Sequence, residues 1–78
     1  MYFVYAIKSL NRNYIYVGIT DNLVRRFYEH NSGKNKTTKP YRPFKLIFSE
    51  THSSRYEARI REKELKSGFG KEFLKNLN

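Results

Sequence analysis

The chain reads as an α+β protein, a small three-stranded antiparallel sheet flanked by helices in the order ββαβα with a short terminal helix. Three observations predict this. Two runs rich in β-branched and aromatic residues, Tyr2 to Lys8 and Tyr14 to Ile19, flank a polar turn at Leu10, Asn11, Arg12 and Asn13. A third apolar run, Phe44 to Thr51, alternates in the manner of a strand, and two helix-like segments follow the second and third runs. At 78 residues the chain supports one compact core, because so short a chain buries only roughly 60% of its unfolded surface. No repeat or Pro/Gly/Ser linker divides it, so residues 1–78 are expected to form a single domain.

The hairpin comes first. An even-numbered loop pairs strand positions whose numbers sum to an odd value. With a two-residue loop at Asn11 and Arg12, Tyr5 lies opposite Gly18 and shares a face with Tyr16, and the missing side chain leaves space beside two phenols that could admit a ligand. By spacing alone, ordinary sheet packing is the favoured reading of these tyrosines.

Asp21 is placed to cap a helix over about Asn22 to Asn31, and Gly33 to close it. On that helix Leu23 and Phe27 mark the inward stripe, with Arg26 and His30 on its flank and Arg25 pointing away. Arginine offers a fork of donors to a phosphate and histidine can move a proton near neutral pH, although Arg26 can also simply snorkel and His30 be a satisfied surface group.

Asn31 to Pro43 carries Lys34, Lys36, Lys39 and Arg42 with no acid, and its two prolines and one glycine argue for a basic loop without regular structure. In the third strand Phe44, Leu46 and Phe48 should form the better-buried face. Ser53 or Ser54 then caps a helix over about Arg55 to Lys66, which ends near Gly68 and Gly70 before a short helix from Lys71 to Leu77. Glu62 lies beside the apolar strip of Ala58 and Leu65. A carboxylate there is costly unless it meets a cation, such as Arg26, or holds a metal; the pattern alone favours the cation.

Composition narrows the partners. Without cysteine there is neither a disulfide framework nor a thiolate zinc site, and a reducing cytoplasm is the expected compartment. The apolar run at Tyr2 to Ile7 is too short for a membrane span. A net charge of +9, from sixteen Lys and Arg against seven acids, repels itself in a surface this small and points to a polyanion. Nucleic acid fits best, since phosphate neutralisation releases counterions. An anionic membrane fits poorly, because neither helix joins a broad apolar stripe to a uniformly basic face.

Taken together, these positions resemble the GIY-YIG nuclease family over essentially the whole chain. The two motifs of that family stand as Phe3-Val4-Tyr5 and Tyr16-Val17-Gly18, its helical Arg and His as Arg26 and His30, and its late Glu as Glu62. The segments from Glu29 to Lys34 and from Arg42 to Phe48, and the ending from Leu65 to Leu77, are similar to the small stand-alone subgroup. The catalytic domains of homing endonucleases and of the excision-repair nuclease subunit share the pattern. Phe3 stands for the first Gly, and Val4 and Val17 for the Ile residues; both tyrosines remain. The Asn that some members carry has no assigned counterpart, Asn76 and Asn78 being unaligned.

The resemblance implies that Tyr5, Tyr16, Arg26, His30 and Glu62 converge on one concave face. It implies one divalent ion, Mg2+ or Mn2+, held by Glu62 with waters and phosphate oxygens. It implies hydrolysis of nucleic-acid phosphodiesters, DNA foremost, in repair or recombination. Tyr16, ahead of Tyr5, would take the proton of the attacking water and Arg26 would meet phosphoryl charge. Gly18, Lys34, Lys36, Lys39 and Arg42 would contact the nucleic acid. The rival is a binding module of the same fold with little or no catalysis; a third class, an assembly protein for an acidic partner, leaves the motif cluster unexplained.

Overall fold

In the computed structural model, which describes residues 1–77, the strands are β1 (Tyr2–Ser9), β2 (Ile15–Thr20) and β3 (Phe44–His52). The helices are α1 (Leu23–Ser32), α2 (Arg55–Lys66) and α3 (Gly68–Lys75), with a 3-10 turn at Lys39–Tyr41. The sheet is antiparallel in the order β2-β1-β3. β1 is therefore central, which explains its unbroken buried run from Val4 to Ile7.

The hairpin register is the expected one, with Tyr5 opposite Gly18 and Ile7 opposite Tyr16. The turn is wider than two residues. Ser9 N donates to Tyr14 O, and the Ser9 hydroxyl accepts from Asn11 N and Arg12 N, so Leu10 to Asn13 form the connection.

Side-chain alternation divides the core between the two faces of the sheet. Val4, Ala6 and Val17 pack against Ala58 and Leu65 of α2 and Leu74 of α3. Tyr5, Ile7 and Phe44 pack on the other face with Tyr16 and with Leu23 and Phe27 of α1. Two helices thus cover one face and α1 covers the other. Glu50 of β3 accepts from Arg61 Nε of α2 at 2.9 Å, tying the second layer to the sheet.

The structure corrects several expectations. Asn22, one residue later than Asp21, caps α1, because its side chain reaches Arg25 N at 3.1 Å; Gly33 closes the helix at φ 84, a conformation that favours glycine. The basic loop is not wholly irregular, since Pro40 sits where a 3-10 turn tolerates it. Phe44 and Phe48 do not share a face. A bulge between Ala6 and Ile7 pairs Ala6 with Phe48 but Ile7 with Leu46, so Ile47 is the extra residue and the alternation reverses across it. Leu46 is left 40% exposed. Ser54, the second of the two candidates, caps α2. The last helix begins at Gly68 rather than Lys71, because Ser67 ends α2 and also caps α3 through Gly70 N. Gly70 belongs inside α3: a Cβ there would strike the backbone of Glu64 and Leu65, so only glycine lets the two helices cross this closely.

Candidate active site

The tyrosine-bearing face of the hairpin and α1 meet around His30. Tyr5 and His30 are both fully buried. The Tyr5 hydroxyl lies 2.8 Å from His30 Nε2, and His30 Nδ1 lies 2.8 Å from the hydroxyl of Thr38, itself fully buried. The His30 ring is hemmed by Tyr16, Tyr5 and Phe44, with centroids at 5.0, 5.8 and 6.1 Å. The expectation of a flank or surface histidine is therefore corrected. An imidazole can sit in this apolar pocket because both nitrogens find partners.

Arg26, half-buried, completes the chain of contacts. Its side-chain hydrogen bond goes to Glu29 at 3.1 Å, and its positive charge faces the Tyr5 hydroxyl. A cation facing the Tyr5 oxygen favours turning the phenol proton away from it, towards His30 Nε2. His30 Nδ1–H then donates to Thr38. Burial and the facing Arg26 charge, opposed by Glu29, push the His30 pKa down to about 4, so the ring is neutral at pH 7. Burial likewise pushes the Tyr5 phenol up to about 12, against the pull of Arg26 and with smaller contributions from Tyr16 and Glu62.

Gly18 is required here, though not for a ligand. A Cβ on it would sit 2.7 Å from the Tyr5 oxygen and 3.0 Å from the Tyr16 ring, so the expected vacant space is filled by the two tyrosines themselves. This also distinguishes the phenols. Tyr5 has no surface to offer a substrate, whereas Tyr16 is only half-buried on the outer strand.

Glu62 is brought to the site from a different layer of the fold than Arg26 and His30. It belongs to α2, which packs on the opposite face from Tyr5 and Tyr16. It is nevertheless near enough for its charge to act on Tyr5, and Lys66, one turn further on, lines a groove together with Tyr16 at the free edge of β2. The Glu62 side chain is 15% exposed, and its partners are Arg59 Nε at 3.6 Å and Lys66 Nζ at 3.2 Å; Arg26 is engaged by Glu29 instead. Among the described residues no group of three or more His, Asp or Glu could cage a metal. Lys34, Lys36, Lys39 and Arg42 are all exposed on the loop. Arg25 is exposed and pairs with Asp21 and Glu29.

Two participants escape a reading of the sequence alone. Glu29 is detectable in principle, being three residues from Arg26 on one helix face. Thr38 is not, because it stands eight positions beyond His30, past the end of α1 and in the loop; the local hint is Asn35, whose side chain accepts from Thr37 N and Thr38 N and shapes the turn that brings Thr38 inward.

Comparison with known proteins agrees with this fold. The GIY-YIG catalytic domain matches residues 1–78. A UPF0213 protein of Staphylococcus haemolyticus is 40% identical over 77 residues, covering 97% of this chain and 93% of that one. One from Natronomonas pharaonis is 34% identical over 67 residues, covering 85% and 78%. The solution NMR structure of a UPF0213 protein from Bacillus halodurans superposes with a TM-score of 0.56 at 35% identity, covering 95% of this chain and 82% of that one. No helix among the described residues is long and apolar enough to cross a membrane. The chain belongs to the GIY-YIG catalytic domain family, alongside its small UPF0213 members.

Proposed function

We propose that this chain is a metal-dependent endonuclease that hydrolyses nucleic-acid phosphodiesters, DNA foremost, in repair or recombination. The observation that carries the reading is the division of labour around His30. Tyr16 and Arg26 are accessible, while Tyr5, His30 and Thr38 form a buried hydrogen-bonded chain behind them. Such a backing holds donors and acceptors in place before a substrate arrives, which is the condition for electrostatic catalysis.

In this account the Tyr16 oxygen orients the attacking water and takes its proton as the phenol's own proton passes to solvent. Water adds to phosphorus as the bond to the leaving 3′-oxygen breaks, that oxygen takes a proton from solvent, and Arg26 meets the charge on the phosphoryl oxygens. Tyr5 is a positioning residue; its hydroxyl holds His30, while Glu29 holds Arg26 beside it. Neutral His30 serves the same end by accepting from Tyr5.

The residues fit a divalent ion of the Mg2+ or Mn2+ kind. Glu62 supplies one carboxylate, and its ion pairs are to exposed side chains that can swing away; waters and phosphate oxygens would complete the hydrated coordination magnesium prefers. When bound, the ion would supply Lewis-acid charge at the phosphoryl group. Replacing Glu62→Gln tests this assignment: cleavage should disappear while nucleic-acid affinity and the cooperative melt persist. Undiminished cleavage would remove Glu62 from the mechanism, and a lost melt would make its pairs with Arg59 and Lys66 structural.

A further inference from the structure

Beside Tyr16, a groove of about 500 Å3 runs between the outer edge of β2 and the corner where α2 meets α3. Tyr14, just before β2, and Ile15, Tyr16 and Val17 of β2 form one wall. Lys66, Lys71 and Lys75 stand on the helical side, and buried Leu65 and Leu74 lie at its base. Thr37, from the basic loop, also borders it. Three cations and no carboxylate line it. The pairs of Lys66 with Glu62 and of Lys75 with Glu72 (3.9 Å) are the weak kind made by exposed side chains, and Lys71 has no ion pair among the described residues.

An occupant must therefore bring repeated negative charge and flat apolar units at once. A single nucleic-acid strand does both, placing phosphates on lysines and bases against tyrosine and the apolar base. A duplex offers phosphates alone, because its bases are stacked inside. A second copy of this chain, with the same +9 charge, would be repelled by the three lysines. We infer that the groove holds an unpaired nucleic-acid strand leading to Tyr16, and that the substrate carries a single-stranded stretch beside the cleaved bond. This rests on the nuclease reading only for what happens at Tyr16; the binding itself is independent of cleavage.

The test is fluorescence anisotropy in chelator, with a labelled oligothymidylate and a hairpin duplex of equal charge as probes. The variant Lys71→Glu/Lys75→Glu alters two exposed side chains of α3 outside the catalytic group. Its cooperative melt should be that of the wild type. Its affinity for the single strand should fall by about tenfold or more, and for the duplex much less. Tyr14→Leu, which keeps apolar bulk but removes the ring, should also weaken the single strand selectively. Equal reductions for both probes, or an unchanged single-strand affinity, would overturn the proposal. So would displacement of the strand by polyglutamate of matched charge, which would assign the groove to acidic peptides. A protein that cleaves duplex in Mg2+ yet shows one of these results remains a nuclease without this groove. One that binds strands through Lys71 and Lys75 but cleaves nothing keeps the groove and loses the nuclease reading.

Discussion

Neutral His30 makes folding stability depend on pH in a defined direction. In the unfolded chain a histidine titrates near 6.5, whereas in the fold burial and Arg26 hold His30 near 4. Between those values the unfolded state binds the extra proton, so stability is fully present above about pH 6.5 and declines as pH falls towards 4. Each pH unit of that gap corresponds to ~1.4 kcal/mol, giving a loss of ~3 kcal/mol across it and ~2 kcal/mol already by pH 5. The titratable and charged groups facing the ring are Tyr5, Tyr16, Arg26 and Glu29. The measurement is urea unfolding from pH 8 to 4.5 for the wild type and for His30→Gln, whose amide can still meet Tyr5. Taking the difference between the two curves cancels carboxylates that titrate alike in both. That difference should be flat above pH 7 and shrink by ~2 kcal/mol on descending to pH 5. A flat difference throughout, or an NMR titration placing folded His30 near 6.5, would refute the assignment of a neutral, buried ring.

Three further outcomes follow from the site. Arg26→Ala should slow single-turnover cleavage by at least about a hundredfold, the scale of losing one preorganised electrostatic group, whereas Arg25→Ala should mainly weaken binding; equal chemical rates would remove Arg26 from the transition state. Neutralising two of Lys34, Lys36, Lys39 and Arg42 should lower the slope of log duplex affinity against log salt by about 0.9 for each phosphate that is no longer neutralised, and an unchanged slope would move the duplex surface elsewhere. Gly18→Ala places a methyl 2.7 Å from the Tyr5 oxygen. It should cost ~1–3 kcal/mol in urea unfolding and disturb the Tyr5–His30 hydrogen bond seen by NMR, and a neutral substitution would show that the phenols are loosely held.

How far the sequence discloses the fold differs by element. The hairpin register, a serine cap at Ser53 or Ser54 and the closing role of Gly33 follow from local rules, because strand parity and backbone donors act over a few residues. The β3 faces do not follow, since a bulge at Ile47 reverses alternation without altering the apolar pattern. In the site, the tyrosines, Arg26 and His30 are legible as residues, and their shared face as geometry. The burial of His30 is not, because it depends on Thr38 arriving from a loop. The position of Glu62 is also hidden. Helical periodicity shows it beside Ala58 and Leu65, but which face of the sheet α2 covers is settled by how the chain turns at Ser53 and Ser54 after β3.

The most direct measurement is cleavage by the pure protein, at saturating enzyme, of labelled duplex, single-stranded and branched DNA and of single-stranded RNA, in Mg2+, Mn2+ or chelator. The account predicts metal-dependent scission of at least one substrate, absent in chelator and abolished in Tyr16→Phe with binding retained. Tight binding without scission in either metal, or scission that persists in chelator or in Tyr16→Phe, would contradict it.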